Sequence, residues 1–153
     1  MEISNLINKN LINLEMNVDS REEAIKVLAE MMFNDGKLKS QDDYIVDVLE
    51  REKEGTTGFG MGFAIPHGKS DAVKETCFAA GRSAKGIEWN SLDGEPVNFV
   101  ILIAVPKEEA GTTHLKILSQ IASNLMEDDF RDNLLQAQLE EEVINILSRE
   151  MEE

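Results

Sequence analysis

Apolar residues return at helical spacing in two early stretches of the chain. After Ser20-x-x-Glu23, the pattern of a capping box, Ala24, Val27, Leu28, Met31 and Met32 share one face until Asn34-Asp35-Gly36 ends the run, which predicts a first helix. Ser40-x-x-Asp43 opens a second helix with Tyr44, Ile45, Val48 and Leu49 on its apolar face and an end near Glu54-Gly55. Ahead of both, Ile3 to Val18 alternates loosely and predicts a first strand around Leu11, Ile12 and Leu14. Further on, Thr76 to Arg82 is expected as a strand and Ile87-Glu88-Trp89 as a short one, before a turn at Asp93-Gly94. The stretch between Ser83 and Pro96 is the one candidate for a long loop. Phe99 to Val105 is continuously apolar, the mark of a strand buried on both faces, and so is placed at the centre of the sheet.

Pro106 closes that strand, and Lys107 to Gly111 leads to Thr112 or Thr113 as N-cap of a third long helix. Asp128 to Gln136 is expected as a short helix, and Leu139 to Leu147 as a last one with Val143, Ile144 and Leu147 inward. Helices interleaved with strands give an α/β fold. The expected form is a single-domain sandwich over residues 1–153, a mixed β-sheet flanked by α-helices.

Composition narrows the class. With 153 residues and 42% hydrophobic content the chain can bury one sizeable core. Its longest apolar run is far short of a membrane span, and Met1-Glu2-Ile3-Ser4 does not begin a signal segment, so a soluble cytoplasmic protein without membrane insertion is expected. Thirty acidic residues against fifteen basic ones give a formal charge of −15. That balance argues against nucleic acid and favours a basic protein partner. The one cysteine, Cys77, sits in an apolar stretch and is expected to be a buried structural thiol.

The chemistry concentrates in Gly58-Phe59-Gly60-Met61-Gly62-Phe63-Ala64-Ile65-Pro66-His67-Gly68-Lys69. Glycines surround a short apolar run that stops at Pro66-His67-Gly68, so His67 is expected at the end of a strand, open to another protein. Pro66 fixes its own φ and keeps Ile65 extended, which holds the imidazole in a defined place. This makes His67 the candidate nucleophile; the plainer reading is a turn histidine. Arg51 lies in the last turn of the second helix, on the face of Tyr44 and Val48, and requires either a partner or an opening to solvent. It is read either as a phosphate ligand through its paired donors or as a cap on terminal carbonyls. The hydroxyls of Thr56 and Thr57 are further candidate donors. His114 stands in the first turn of the third long helix on the stripe continued by Leu118, Ile121 and Leu125. It is either a satisfied core histidine or a second imidazole at a helix N-terminus, a natural anion site.

Gly60-x-Gly62-x-Ala64-Ile65-Pro66-His67-Gly68, preceded by Arg51-Glu52-Lys53 and Gly58, resembles the phosphorylation-site motif of the fructose/mannitol-type (type 2) enzyme IIA domain of the bacterial sugar phosphotransferase system. The similarity runs from about Ser20 to about Leu147 and includes Thr112-Thr113-His114-Leu115, where the family carries a second active-site histidine. The resemblance implies that His67 accepts a phosphoryl group, as a tele-phosphohistidine, from phosphorylated HPr, the histidine-containing phosphocarrier. It implies that the group passes to a cognate enzyme IIB associated with a membrane enzyme IIC, with His114 and Arg51 stabilising it, Thr57 contacting it, and no cofactor or metal taking part. Fructose is favoured over mannitol, because the run through Lys69 is closer to the fructose version. The alternative from the same family is a nitrogen-related regulatory enzyme IIA, in which phosphorylation of His67 controls binding to other proteins. A metal enzyme built on His67, His114 and carboxylates is disfavoured, since no clustered ligand spacing is present.

Overall fold

The computed structural model describes residues 5–109 and 111–151. Both capping signals are used. The Ser20 hydroxyl accepts from the Glu23 N–H at 3.1 Å, and the Glu23 carboxyl accepts from the Asp19 N–H at 3.1 Å, opening α1 (Arg21–Asn34). The Ser40 hydroxyl accepts from the Asp43 N–H at 3.2 Å, opening α2 (Gln41–Glu54). The two serine bonds satisfy N–H groups that the first helical turn leaves without intrahelical acceptors.

Strands β1 (Ile12–Asn13), β2 (Gly58–Gly60), β3 (Phe63–Ala64), β4 (His67–Ser70), β5 (Cys77–Ile87) and β6 (Val97–Pro106) form, among the described residues, one six-stranded sheet. Its order is β1-β5-β6-β3-β2, with β4 also paired to β6. The pairs β1/β5, β3/β6 and β4/β6 are parallel, while β5/β6 and β2/β3 are antiparallel, so the sheet is mixed as expected. Residues 99–105 of β6 are all 0% exposed although successive side chains point to opposite faces, so both faces of the sheet are covered at its centre. Helices α1 and α2 pack on each other and on β5 and β4 respectively. Helix α3 (Thr112–Asn124), α4 (Asp128–Gln136) and α5 (Glu140–Met151) pack together and reach the sheet through α4 and β6. This is the α/β sandwich that the periodicities predict.

Three local expectations change. The first strand shrinks to two residues, because Asn8 caps a 3₁₀ turn over Lys9–Leu11 by accepting the Asn10 N–H at 2.8 Å, a local bond that competes with strand pairing. The strand expected to stop at Arg82 continues to Ile87, with an irregularity in its pairing to β6 between those residues, and Glu88-Trp89 lies outside it. The long loop accordingly shortens to residues 88–96. Helix α3 starts at Thr112 itself, with Gly111 as its N-cap at a φ of 103°, a backbone conformation that glycine adopts without steric cost. Cys77 is fully buried, and burial pushes its thiol up to about 12, which fits the inert structural role.

Candidate active site

The glycines of the motif build a hairpin and a close helix contact. Met61 (φ 57°) and Gly62 (φ 87°) turn the chain between β2 and β3, and the Met61 N–H is held by the Asp93 carboxyl at 2.8 Å. Strand β3 runs beside Phe99 and Val100 of β6, and β4 takes up the same edge at Ile103. The register is unbroken: two residues separate Ala64 from His67, as two separate Val100 from Ile103. Between them Pro66 has no N–H to give, and its carbonyl accepts from the Ile103 N–H at 3.0 Å. His67 is therefore the first residue of β4 rather than the end of a strand.

The next residue sets the distance to α2. A Cβ on Gly68 would stand 2.9 Å from Val48 Cγ2 and 3.0 Å from Tyr44 Cε1. Only a residue without one lets β4 approach α2 this closely. On the far side of the same contact the buried Tyr44 phenol donates to the Ile103 carbonyl at 2.8 Å, tying α2 to the strand residue that pairs with His67. Arg51, one turn beyond Val48, is thereby carried toward the imidazole.

His67 is 6% exposed, so the open setting expected of a Pro-His-Gly turn gives way to a largely covered one. The cover follows from its place in a strand of the sheet beside a closely packed helix. Its Nδ1 lies 3.0 Å from the Ile65 carbonyl oxygen. A carbonyl only accepts, so this contact places the proton on Nδ1 in the neutral ring and the lone pair on Nε2. Burial holds the imidazole below its ordinary pKa, and the charges of Arg51 and Lys69 act in the same direction. The bond to Ile65 and the nearby Glu54 act against them. The net result is a neutral imidazole at physiological pH.

Arg51 is half-buried, and its Nη1 donates to the Gly55 carbonyl at 2.9 Å, the capping role anticipated as one of its two readings. One of five donors is used in this bond. The Thr57 hydroxyl donates to the Glu52 carboxyl and its oxygen accepts from Trp89 Nε1 at 3.3 Å, so in this structure it links α2 to the segment around Trp89. Thr56 likewise donates its hydroxyl to the Trp89 carbonyl at 3.1 Å. His114 occupies the first turn of α3, and its side chain lies outside the described residues. The residue that the sequence reading passed over is Glu52, 6% exposed at the end of α2. Its signal was present, since positions 45, 48 and 52 follow the i, i+3, i+7 spacing and place a carboxyl on an apolar stripe. Among the described residues no three His, Cys, Asp or Glu side chains are grouped as a metal site.

A neutral histidine with its lone pair set on one nitrogen, beside two cationic side chains, is the arrangement of a nucleophile for an anionic electrophile. Residues 5–150 match the family described as "Phosphoenolpyruvate-dependent sugar phosphotransferase system, EIIA 2", and the chain belongs to that family. Among its relatives, the fructose-specific EIIA component of Haloferax volcanii is 37% identical over 99% of this chain and 97% of its own length. The 2-O-alpha-mannosyl-D-glycerate-specific EIIABC component of Escherichia coli is 36% identical over 96% of this chain. The chain spans only 22% of that longer protein. The crystal structure of nitrogen regulatory protein IIA-Ntr from Neisseria meningitidis superposes with a TM-score of 0.87 at 32% identity, covering 95% of this chain and 98% of that one.

Proposed function

We propose that this chain is a phosphocarrier that accepts a phosphoryl group on Nε2 of His67 from phosphorylated HPr and delivers it to an enzyme IIB working with a membrane enzyme IIC. The observation that carries this reading is the contact between Nδ1 and the Ile65 carbonyl, which directs the lone pair to Nε2. In the transfer the Nε2 lone pair forms the new N–P bond, the bond from phosphorus to the donor histidine breaks, and its electron pair returns to the donor nitrogen. Nδ1 keeps its proton throughout, and the Ile65 carbonyl opposes the positive charge that the phosphorylated ring acquires. Arg51 and His114 stabilise the equatorial oxygens, a task of positioning and charge rather than of covalent chemistry. The fructose-specific names of relatives support fructose as the sugar served.

A second reading is favoured by the IIA-Ntr structure: the same phosphorylation would regulate binding to other proteins. Incubation with phosphorylated HPr, followed by a panel of IIB domains of differing sugar specificity, separates the two. Fast transfer to a fructose-type IIB is expected. Phosphorylation of His67 without onward transfer to any of the panel would favour the regulatory role.

A further inference from the structure

The imidazole contact is the last of a series of hydrogen bonds that begins at a buried carboxyl group. The Ile65 residue whose carbonyl meets Nδ1 of His67 at 3.0 Å donates its own N–H to the Thr57 carbonyl, also at 3.0 Å. Thr57 in turn donates its N–H to Glu52 Oε2 at 3.2 Å and its hydroxyl to Oε1 of the same carboxyl group. Arg21 Nη1 stands 3.7 Å from Oε2, and the one tryptophan of the chain, Trp89, donates to the Thr57 oxygen at 3.3 Å. Thr57 is thus held through both its donors, the N–H and the hydroxyl, by a carboxyl that is itself out of water. A buried acidic side chain is costly unless its oxygens are occupied, and here they are occupied by the residue that positions Ile65.

We propose that Glu52 is a positioning residue for His67, acting through Thr57 and Ile65 to fix the ring and keep the proton on Nδ1. A ring nitrogen keeps its proton according to the acceptor that faces it, so an acceptor free to shift lets the second tautomer in. Glu52 sits one residue after Arg51, and Arg51 is anchored on Gly55 within the segment between Glu52 and Thr57. One carboxyl group therefore sets the entry to the motif on both its Arg51 and its His67 sides.

The test is Glu52→Gln, which keeps one acceptor and turns the other into a donor facing the donors of Thr57. The two ring ¹⁵N resonances of His67 are expected to move toward each other as the second tautomer becomes populated, and Trp89 emission is expected to shift. Acceptance from phosphorylated HPr is expected to slow about tenfold. If Glu52→Gln does not fold, Thr57→Val removes the hydroxyl link but keeps the backbone bonds, and is expected to give a smaller change of the same sign, with Thr57→Ser restoring the parent behaviour. Ring resonances identical to the parent in a folded Glu52→Gln or Thr57→Val protein would overturn the proposal, whatever the melting temperature does. The rate rests on His67 being the acceptor, whereas the ring resonances do not. A parent protein that takes no phosphoryl group would refute the phosphocarrier reading and leave the ¹⁵N comparison to decide this one.

Discussion

At the scale of single residues, the protonation of His67 connects structure to chemistry. In the proposed transfer the neutral ring is the nucleophile, and burial together with Arg51 and Lys69 lowers the imidazole from its usual 6.5, so the neutral form persists into more acidic solution than it does for a free histidine. The same shift has a stability consequence. Between 6.5 and the lower folded value the unfolded chain binds more protons than the folded one, so the contribution of His67 is present above 6.5 and is lost as the pH falls through the folded value. An NMR titration of His67 is expected to give a midpoint below 6.5, and Arg51→Ala is expected to raise it by removing one of the two cations. A midpoint above 6.5 would contradict both the burial and the charge assignment. Thr57 and Glu52 show the limit of reading such residues from sequence. The hydroxyl was visible as a donor, but which acceptor it met depended on the α2 end turning back on itself, and that turn is fixed by Glu52.

At the scale of elements, the helices and the central strand were legible because their signals are local. Ser20 and Ser40 cap within three residues, and β6 announces its burial by an unbroken apolar run. The strand edge carrying the site was not legible, since β3 and β4 are one edge interrupted at Pro66, and that continuity exists only against β6. Gly68 was equally opaque. It read as room around the histidine, whereas its missing Cβ admits Val48 and Tyr44 of α2. Gly68→Ala should therefore cost about 1–3 kcal/mol of stability by overpacking and should also slow phosphoryl acceptance by shifting His67 relative to Arg51. Adding Val48→Ala, which removes the nearer of the two clashing groups, should recover part of the melting temperature. An unchanged melting temperature in Gly68→Ala alone would show that the close approach is not what the glycine is for.

At the scale of the whole molecule, a chain of formal charge −15 places two cationic side chains, Arg51 and Lys69, close enough to the buried imidazole to lower its pKa. The local field at His67 thus includes cations suited to a phosphoryl anion within an otherwise acidic body, and the sheet and α2 hold that arrangement through Tyr44, Gly68 and Ile103. The proposed function turns on one event, the formation of a bond between phosphorus and Nε2 of His67. The direct measurement is ¹⁵N and ³¹P NMR of the protein after reaction with phosphorylated HPr, alongside His67→Gln. One acid-labile phosphoryl group on Nε2 of His67, with none in the variant, is the expected result; a group on Nδ1, on His114, or still present in His67→Gln would contradict the account.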